Sequence, residues 1–176
     1  MSEHLNNLAV PLLLPMQWQE SSAPVDEAAA LRALQTAATL GEKPPPVSED
    51  ALGPDLEVNR LHQKTQLLIE LLAVALRRNA VTPLPQLITL SATHCQWQHP
   101  VALPAAAQGV VSLWLHPASP EPLQWPAEII GSSSQGAGWS VEARLLPLGD
   151  AAQAALDRHV FLLHRRAVAE ARAQRQ

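Results

Sequence analysis

The sequence predicts an α+β chain in which a small antiparallel barrel or sandwich carries long helices. Three observations lead there. Between Leu84 and Leu148 the apolar residues repeat every second position in five short runs separated by turn residues. On either side, from Asp55 to Asn79 and from Asp150 almost to the end, the spacing becomes helical. The chain also has sixteen prolines against seven glycines, and the prolines fall almost wholly outside those two helical stretches. They therefore mark element boundaries and stiff connections.

In chain order, "LAVPLLLPMQWQ" (Leu8 to Gln19) is apolar with two prolines, which predicts an extended edge element. "PVDEAAALRALQTAATLG" (Pro24 to Gly41) has acids in its first turn, Leu31 and Leu34 three apart, and Gly41 as a stop, so a helix is expected. The triple proline Pro44 to Pro46 makes the following stretch a linker. A long helix then runs from an Asp55 cap to about Asn79. The five runs are "LPQLITLS" (84–91), "CQWQHPVAL" (95–103), "GVVSLWLHP" (109–117), "LQWPAEIIG" (123–131) and "GWSVEARLLPL" (138–148), with "SSSQGAG" (132–138) as a hairpin loop. An Asp150 cap opens the last helix, whose apolar face is Leu156, Val160, Leu163 and Ala167. One domain over 1–176 accommodates all of this: a first-strand region at 1–23, a helix and Pro-rich linker at 24–54, the long helix at 55–79, strands at 80–149 and the terminal helix at 150–176.

The long helix has a seam. Val58, Leu61, Thr65, Leu68, Leu72 and Ala75 alternate three and four apart, the a/d pattern of roughly three heptads. Three heptads alone fit an ordinary core-facing helix, but "LLIELLAVAL" (Leu67 to Leu76) is apolar nearly all round. A single stripe packed on its own domain would leave several leucines in water, at a cost of about 25 cal/mol per Å² of apolar area. Self-association through this helix is therefore expected.

Composition excludes several functions. A net charge of -4 leaves no basic face for nucleic acid. The lone Cys95 cannot form an internal disulfide, no Lys/Arg-led signal precedes Leu8, and the longest apolar run falls short of the ~20 residues that span a bilayer. A cytoplasmic setting with no membrane insertion is expected. Of the five tryptophans, Trp18, Trp97, Trp125 and Trp139 are expected in the core or under helices. Trp114 alternates with Val111, Leu113 and Leu115, so it meets a helix or marks a partner surface. The arginines Arg165, Arg166, Arg172 and Arg175 gather at the end of the last helix, where they oppose the negative end of its dipole; a solvated helix end is the plain reading and an anion-binding tail the alternative.

The densest chemistry lies in "LSATHCQWQHP" (Leu90 to Pro100). Strand alternation sends Cys95, Trp97 and His99 one way and His94, Gln96 and Gln98 the other, so the two histidines diverge. No further Cys or His completes a four-ligand metal site around Cys95 and His99. His159 and His164 are five apart on the last helix, not at the i, i+4 spacing of a metal pair. There is neither a G-x-S-x-G elbow nor a catalytic Cys signature, so no enzyme is expected.

From about residue 80 to 165 the order of features resembles the PilZ domain, a bacterial six-stranded barrel family whose usual ligand is cyclic di-GMP. "LITLSATHCQW" aligns with the strand and turn of the family motif [D/N]-x-S-x-x-G, "AAAQGVVSLWLHP" with its glycine and apolar strand, "PAEIIG…GAGWSVEARLLPL" with the next hairpin and "AAQAALDRHVFLLHRR" with the terminal helix. The resemblance implies a PilZ-like six-stranded barrel. It also likens the helix at 55–79 to the heptad insertion of an atypical subgroup that forms tetramers, which makes the expected partner the chain itself, as a homo-tetramer, together with an unidentified protein. Family members bind the dinucleotide through an R-x-x-x-R pair and the motif turn, where arginine forks grip phosphates and base edges. Here Thr89 stands at the acidic or amide position, Ser91 at the serine and His94 at the glycine, and no two arginines are four apart, although Arg77 and Arg78 lie upstream. What the resemblance implies is thus a non-enzymatic adaptor of bacterial motility, pilus or virulence regulation with no cofactor; a cyclic di-GMP receptor using Arg77, Arg78 and Ser91 in altered geometry is the alternative.

Overall fold

A computed structural model of the chain describes residues 8–41, 54–77, 82–119, 121–136 and 138–173. Six strands form a closed antiparallel barrel in the order β1-β2-β3-β6-β5-β4. They are β1 (Val10–Glu20), β2 (Pro85–Leu90), β3 (His94–His99), β4 (Gln108–Leu113), β5 (Leu123–Gln135) and β6 (Gly138–Leu145). Three helices accompany them: α1 (Glu27–Leu40), α2 (Pro54–Arg77) and α3 (Asp150–Ala173).

Closure explains how a proline-bearing strand enters a barrel. The β1 strand is not an edge, as its composition suggests, because it joins β2 and β4. It does so in halves: Val10 to Pro15 pair with β2, and Met16 to Glu20 pair with β4. Pro11 and Pro15 both fall in the half with one neighbour, where a missing N–H leaves no ladder bond unmade. The stagger that closes a small barrel thus leaves a local edge on an internal strand.

Alternation fills the interior. Val10, Ile88, Leu90, Cys95, Trp97, Val111, Leu113, Trp125, Ile129, Val141 and Ala143 are buried in one cluster that continues into Leu34 of α1 and Leu156 and Val160 of α3. Trp18 and Trp97 meet at 5.9 Å between ring centroids. The Trp18 ring also covers Gly109, where a Cβ would run into that ring and the Gln19 carbonyl, so a glycine is required there by close approach. Helix α1 packs on α3 and β5, and α3 on β1.

Several boundaries differ from the sequence expectation. The stretch Ser132 to Gln135 is strand, paired as far as Gln135 with Gly138, so the expected loop is shorter, and Gly136 follows at φ +62°. Serines alternate on an exposed ribbon as readily as they fill a loop, and composition does not separate the two. Asp55 and Asp150 lie inside their helices rather than capping them. Pro54 opens α2, where its missing N–H costs nothing. Gly149 precedes α3, and its carbonyl accepts from the Gln153 N–H at 2.9 Å. Asp26 does cap α1, its side chain accepting from the Ala28 N–H, and Gly41 stops that helix. β4 ends at Leu113, so Trp114 leaves the strand and its alternation. Among the described residues no helix is long and apolar enough to cross a membrane.

Candidate functional site

The turn joining β2 to β3 carries the three motif positions. Thr89 is half-buried at a ladder position, paired with Pro11 on one side and Gln96 on the other. Ser91 is buried, and every hydrogen-bonding capacity of its hydroxyl is used within the turn. Its oxygen accepts from the His94 N–H at 2.9 Å and from the Thr93 N–H at 3.3 Å, and it donates to the His94 carbonyl at 3.3 Å. The Ser91 N–H closes the loop onto the same carbonyl at 2.9 Å. A serine so saturated holds the turn and has nothing left for a ligand.

His94 sits in ordinary backbone, since Ala106 has the only positive φ among the described non-glycine residues. Loss of the family glycine is therefore accommodated without strain at this position. The His94 imidazole meets the Thr93 hydroxyl at 2.8 Å, which turns its ring along the turn. The turn is further tied to the body by the Leu145 N–H, which donates to the Thr93 carbonyl at 2.8 Å, and by the Gln153 amide of α3, which donates to the Ala92 carbonyl at 3.1 Å.

A cyclic dinucleotide would need arginine forks for its phosphates and guanine edges. Between residues 82 and 149 the sequence has one lysine or arginine, Arg144. It lies across from His94 in the β3–β6 ladder, yet its guanidinium is bound to the Glu128 carboxylate at 2.8 Å. Arg77 ends α2, and Arg78 lies outside the described residues. The residues at the turn do not fit the group that the family motif serves.

Cys95 and His99 of the same stretch are buried or tied back. Cys95 is fully buried and burial pushes its thiol up to about 12, which leaves no thiolate to attack or ligate. His99 folds back on the chain, its Nδ1 lying 2.8 Å from the Val101 carbonyl. Among the described residues no group of three or more His, Cys, Asp or Glu side chains could hold a metal. His164 is half-buried on α3, whereas His159 is buried, and its Nε2 has no hydrogen-bond partner. Burial, aided by the Arg166 charge, pushes that imidazole down to about 4. The orphan nitrogen is a feature that spacing does not suggest; a histidine aligned with Leu156 and Val160 on an apolar face is its only signal. Of the helix-end arginines, Arg165 lies over the Phe161 ring at 5.9 Å, Arg172 is exposed, and Arg175 lies outside the described residues.

The remaining candidate is the α2 seam. Among the described residues no other element packs appreciably against α2, and Val58, Leu61, Leu68 and Leu72 are 60 to 66% exposed. Thr65 is exposed with its hydroxyl donating to the Leu61 carbonyl at 2.9 Å, and Ala75 is exposed as well. Leu67 and Leu71, outside the seam, are 56 and 57% exposed. All six seam positions are therefore exposed on α2.

A family model described as an atypical PilZ domain, cyclic di-GMP receptor, matches residues 31–173. Among solved structures the chain is similar to a pathogenic protein from Xanthomonas campestris, described as a new tetrameric PilZ domain self-assembled via an unusual helical bundle. That likeness has a TM-score of 0.72 at 29% identity and covers 93% of this chain and 88% of the other. None of the curated proteins matches.

Proposed function

The chain belongs to the atypical PilZ domain family, and we propose that it works in the cytoplasm as a non-enzymatic adaptor that self-associates, as a homo-tetramer, through α2. The observation that carries this reading is the uncovered apolar helix. Burying a leucine or valine fully stabilises by about 1.5–3 kcal/mol, so side chains already 56 to 66% exposed each stand to gain roughly 1–2 kcal/mol on association. Six of them offset the ~4–15 kcal/mol that association costs in lost freedom when two or more chains contribute. The bundle-forming neighbour from Xanthomonas campestris supports the same reading, and its description as a pathogenic protein favours a role in virulence, motility or pilus regulation. The barrel then serves as the surface offered to an unidentified protein partner.

The second reading is a cyclic di-GMP receptor, favoured by the description of the family. Against it stand the saturated Ser91 hydroxyl and the Arg144–Glu128 pair. Titration calorimetry with cyclic di-GMP separates the two. The adaptor reading expects no heat at high micromolar dinucleotide, and a saturable isotherm at low micromolar ligand would replace it with the receptor. Light scattering tests the self-association on which the adaptor reading depends.

A further inference from the structure

Between α1 and α3 lies a cavity of about 440 Å³, within the ~300–1,000 Å³ range of small-molecule sites. Its wall is mostly apolar, with Leu31, Leu34 and Ala38 on the α1 side and Leu162 on the α3 side. Arg158 and His159, consecutive on α3, add nitrogen chemistry to that wall, and among the described residues no carboxylate lines it.

Two of these polar groups lack partners. His159 is only 7% exposed, yet its Nε2 has no hydrogen-bond partner, a condition rare among buried polar atoms. Burial and the Arg166 charge keep its ring neutral at neutral pH, so in the Nε2–H tautomer it offers one donor. Arg158 is exposed and has no ion-pair partner among the described residues. The nearest acid in sequence, Asp157, lines the neighbouring hollow beside Thr93, where it accepts from the Gln153 amide. The Arg166 guanidinium lies against Gly41 at the end of α1, so the surroundings add positive charge. An apolar cleft with an unpaired guanidinium, a donor in need of an acceptor and no carboxylate of its own is complementary to an anion on an apolar body. We infer that the α1–α3 cavity binds a small amphipathic carboxylate, its alkyl body against Leu31, Leu34, Ala38 and Leu162 and its two oxygens shared between Arg158 and the His159 Nε2–H. This site is separate from the motif turn and from α2, and it stands whether or not the chain self-associates.

Octanoate, octanol and acetate test it on the full chain labelled with 15N-histidine at neutral pH. The His159 imidazole signal is identified by its loss in His159→Leu. Octanoate is expected to shift that signal saturably, with a Kd of ~0.1–5 mM, which is what about ten non-hydrogen atoms support. Octanol should bind about fivefold or more weakly and acetate should give no saturation, since neither brings both the head and the apolar body. Arg158→Gln, at an exposed position, should weaken octanoate about fivefold and leave octanol unchanged. Ala38→Phe, which fills the cavity, should abolish the shift for both; if that variant does not fold, Arg158→Gln still decides. A His159 signal that octanoate leaves unmoved at about ten times the highest expected Kd overturns the inference. Octanol binding as tightly as octanoate, or Arg158→Gln binding octanoate as wild type does, overturns it too, because the carboxylate is then not what the cavity recognises.

Discussion

Replacement of Ser91 by alanine separates a structural turn from a ligand-binding one. The hydroxyl is buried and accepts from two backbone N–H groups, those of Thr93 and His94, while donating to the His94 carbonyl. Removing an acceptor from a buried donor costs about 1–3 kcal/mol where water cannot enter. Thr93 and His94 are only half-buried, so water reaches part of the turn, and the Ser91–His94 backbone bond survives the substitution. The expected loss for Ser91→Ala is therefore about 1–2 kcal/mol. In a domain of this size 1 kcal/mol moves Tm by roughly 2–4 °C, so thermal unfolding should fall by about 2–8 °C. Circular dichroism melts of wild type and variant measure it. A Tm within about 1 °C of wild type would show that the hydroxyl holds nothing, and the case that Ser91 serves the turn instead of a ligand would fail.

Three other outcomes follow from the geometry. The Gly109→Ala variant forces a methyl against the Trp18 ring and the Gln19 carbonyl and is expected to destabilise by about 1–3 kcal/mol in denaturant melts, with unchanged stability contradicting that packing. The His159 imidazole has a folded value near 4 against 6.5 for the free group, so the folded state binds fewer protons; stability is complete above pH 6.5 and declines as pH falls toward 4, by at most about 3 kcal/mol. A His159→Leu variant should flatten the Tm profile across that window, and an equally steep profile would place the titration elsewhere. Replacing Glu128 by alanine frees the Arg144 guanidinium, so any cyclic di-GMP heat that appears in calorimetry of Glu128→Ala but not of wild type would identify that ion pair as the block, whereas silence in both agrees with the missing second arginine.

Much of this architecture is legible in the sequence because binary patterning acts over short range. Alternation in 84–148 locates five strands within a few residues because it records which face meets the barrel core, and the three-and-four spacing of apolar residues locates α2. Where the pattern weakens, the reading slips. The serines of β5 have no apolar face to record, and the prolines of β1 suggest an edge because the staggered closure that shelters them is a property of six strands together. The motif positions Thr89, Ser91 and His94 emerge by resemblance, and their departure from the family pattern is visible in the residues. That Ser91 is saturated by its own turn, that Arg144 is held by Glu128 sixteen residues away, and that His159 is left without a partner depend on hydrogen-bond geometry, on pairing across strands or on burial by distant elements, which apolar periodicity does not record.

Self-association through α2 is tested most directly by the mass of the chain in solution with and without its seam. Multi-angle light scattering of the wild type is predicted to give close to four times the 19.0 kDa chain mass. The variant Leu61→Asp/Leu68→Asp places two charges at exposed seam positions, so it should stay folded as a barrel and fall to the mass of one chain. A monomeric wild type, or a folded variant of unchanged mass, would contradict self-association through α2.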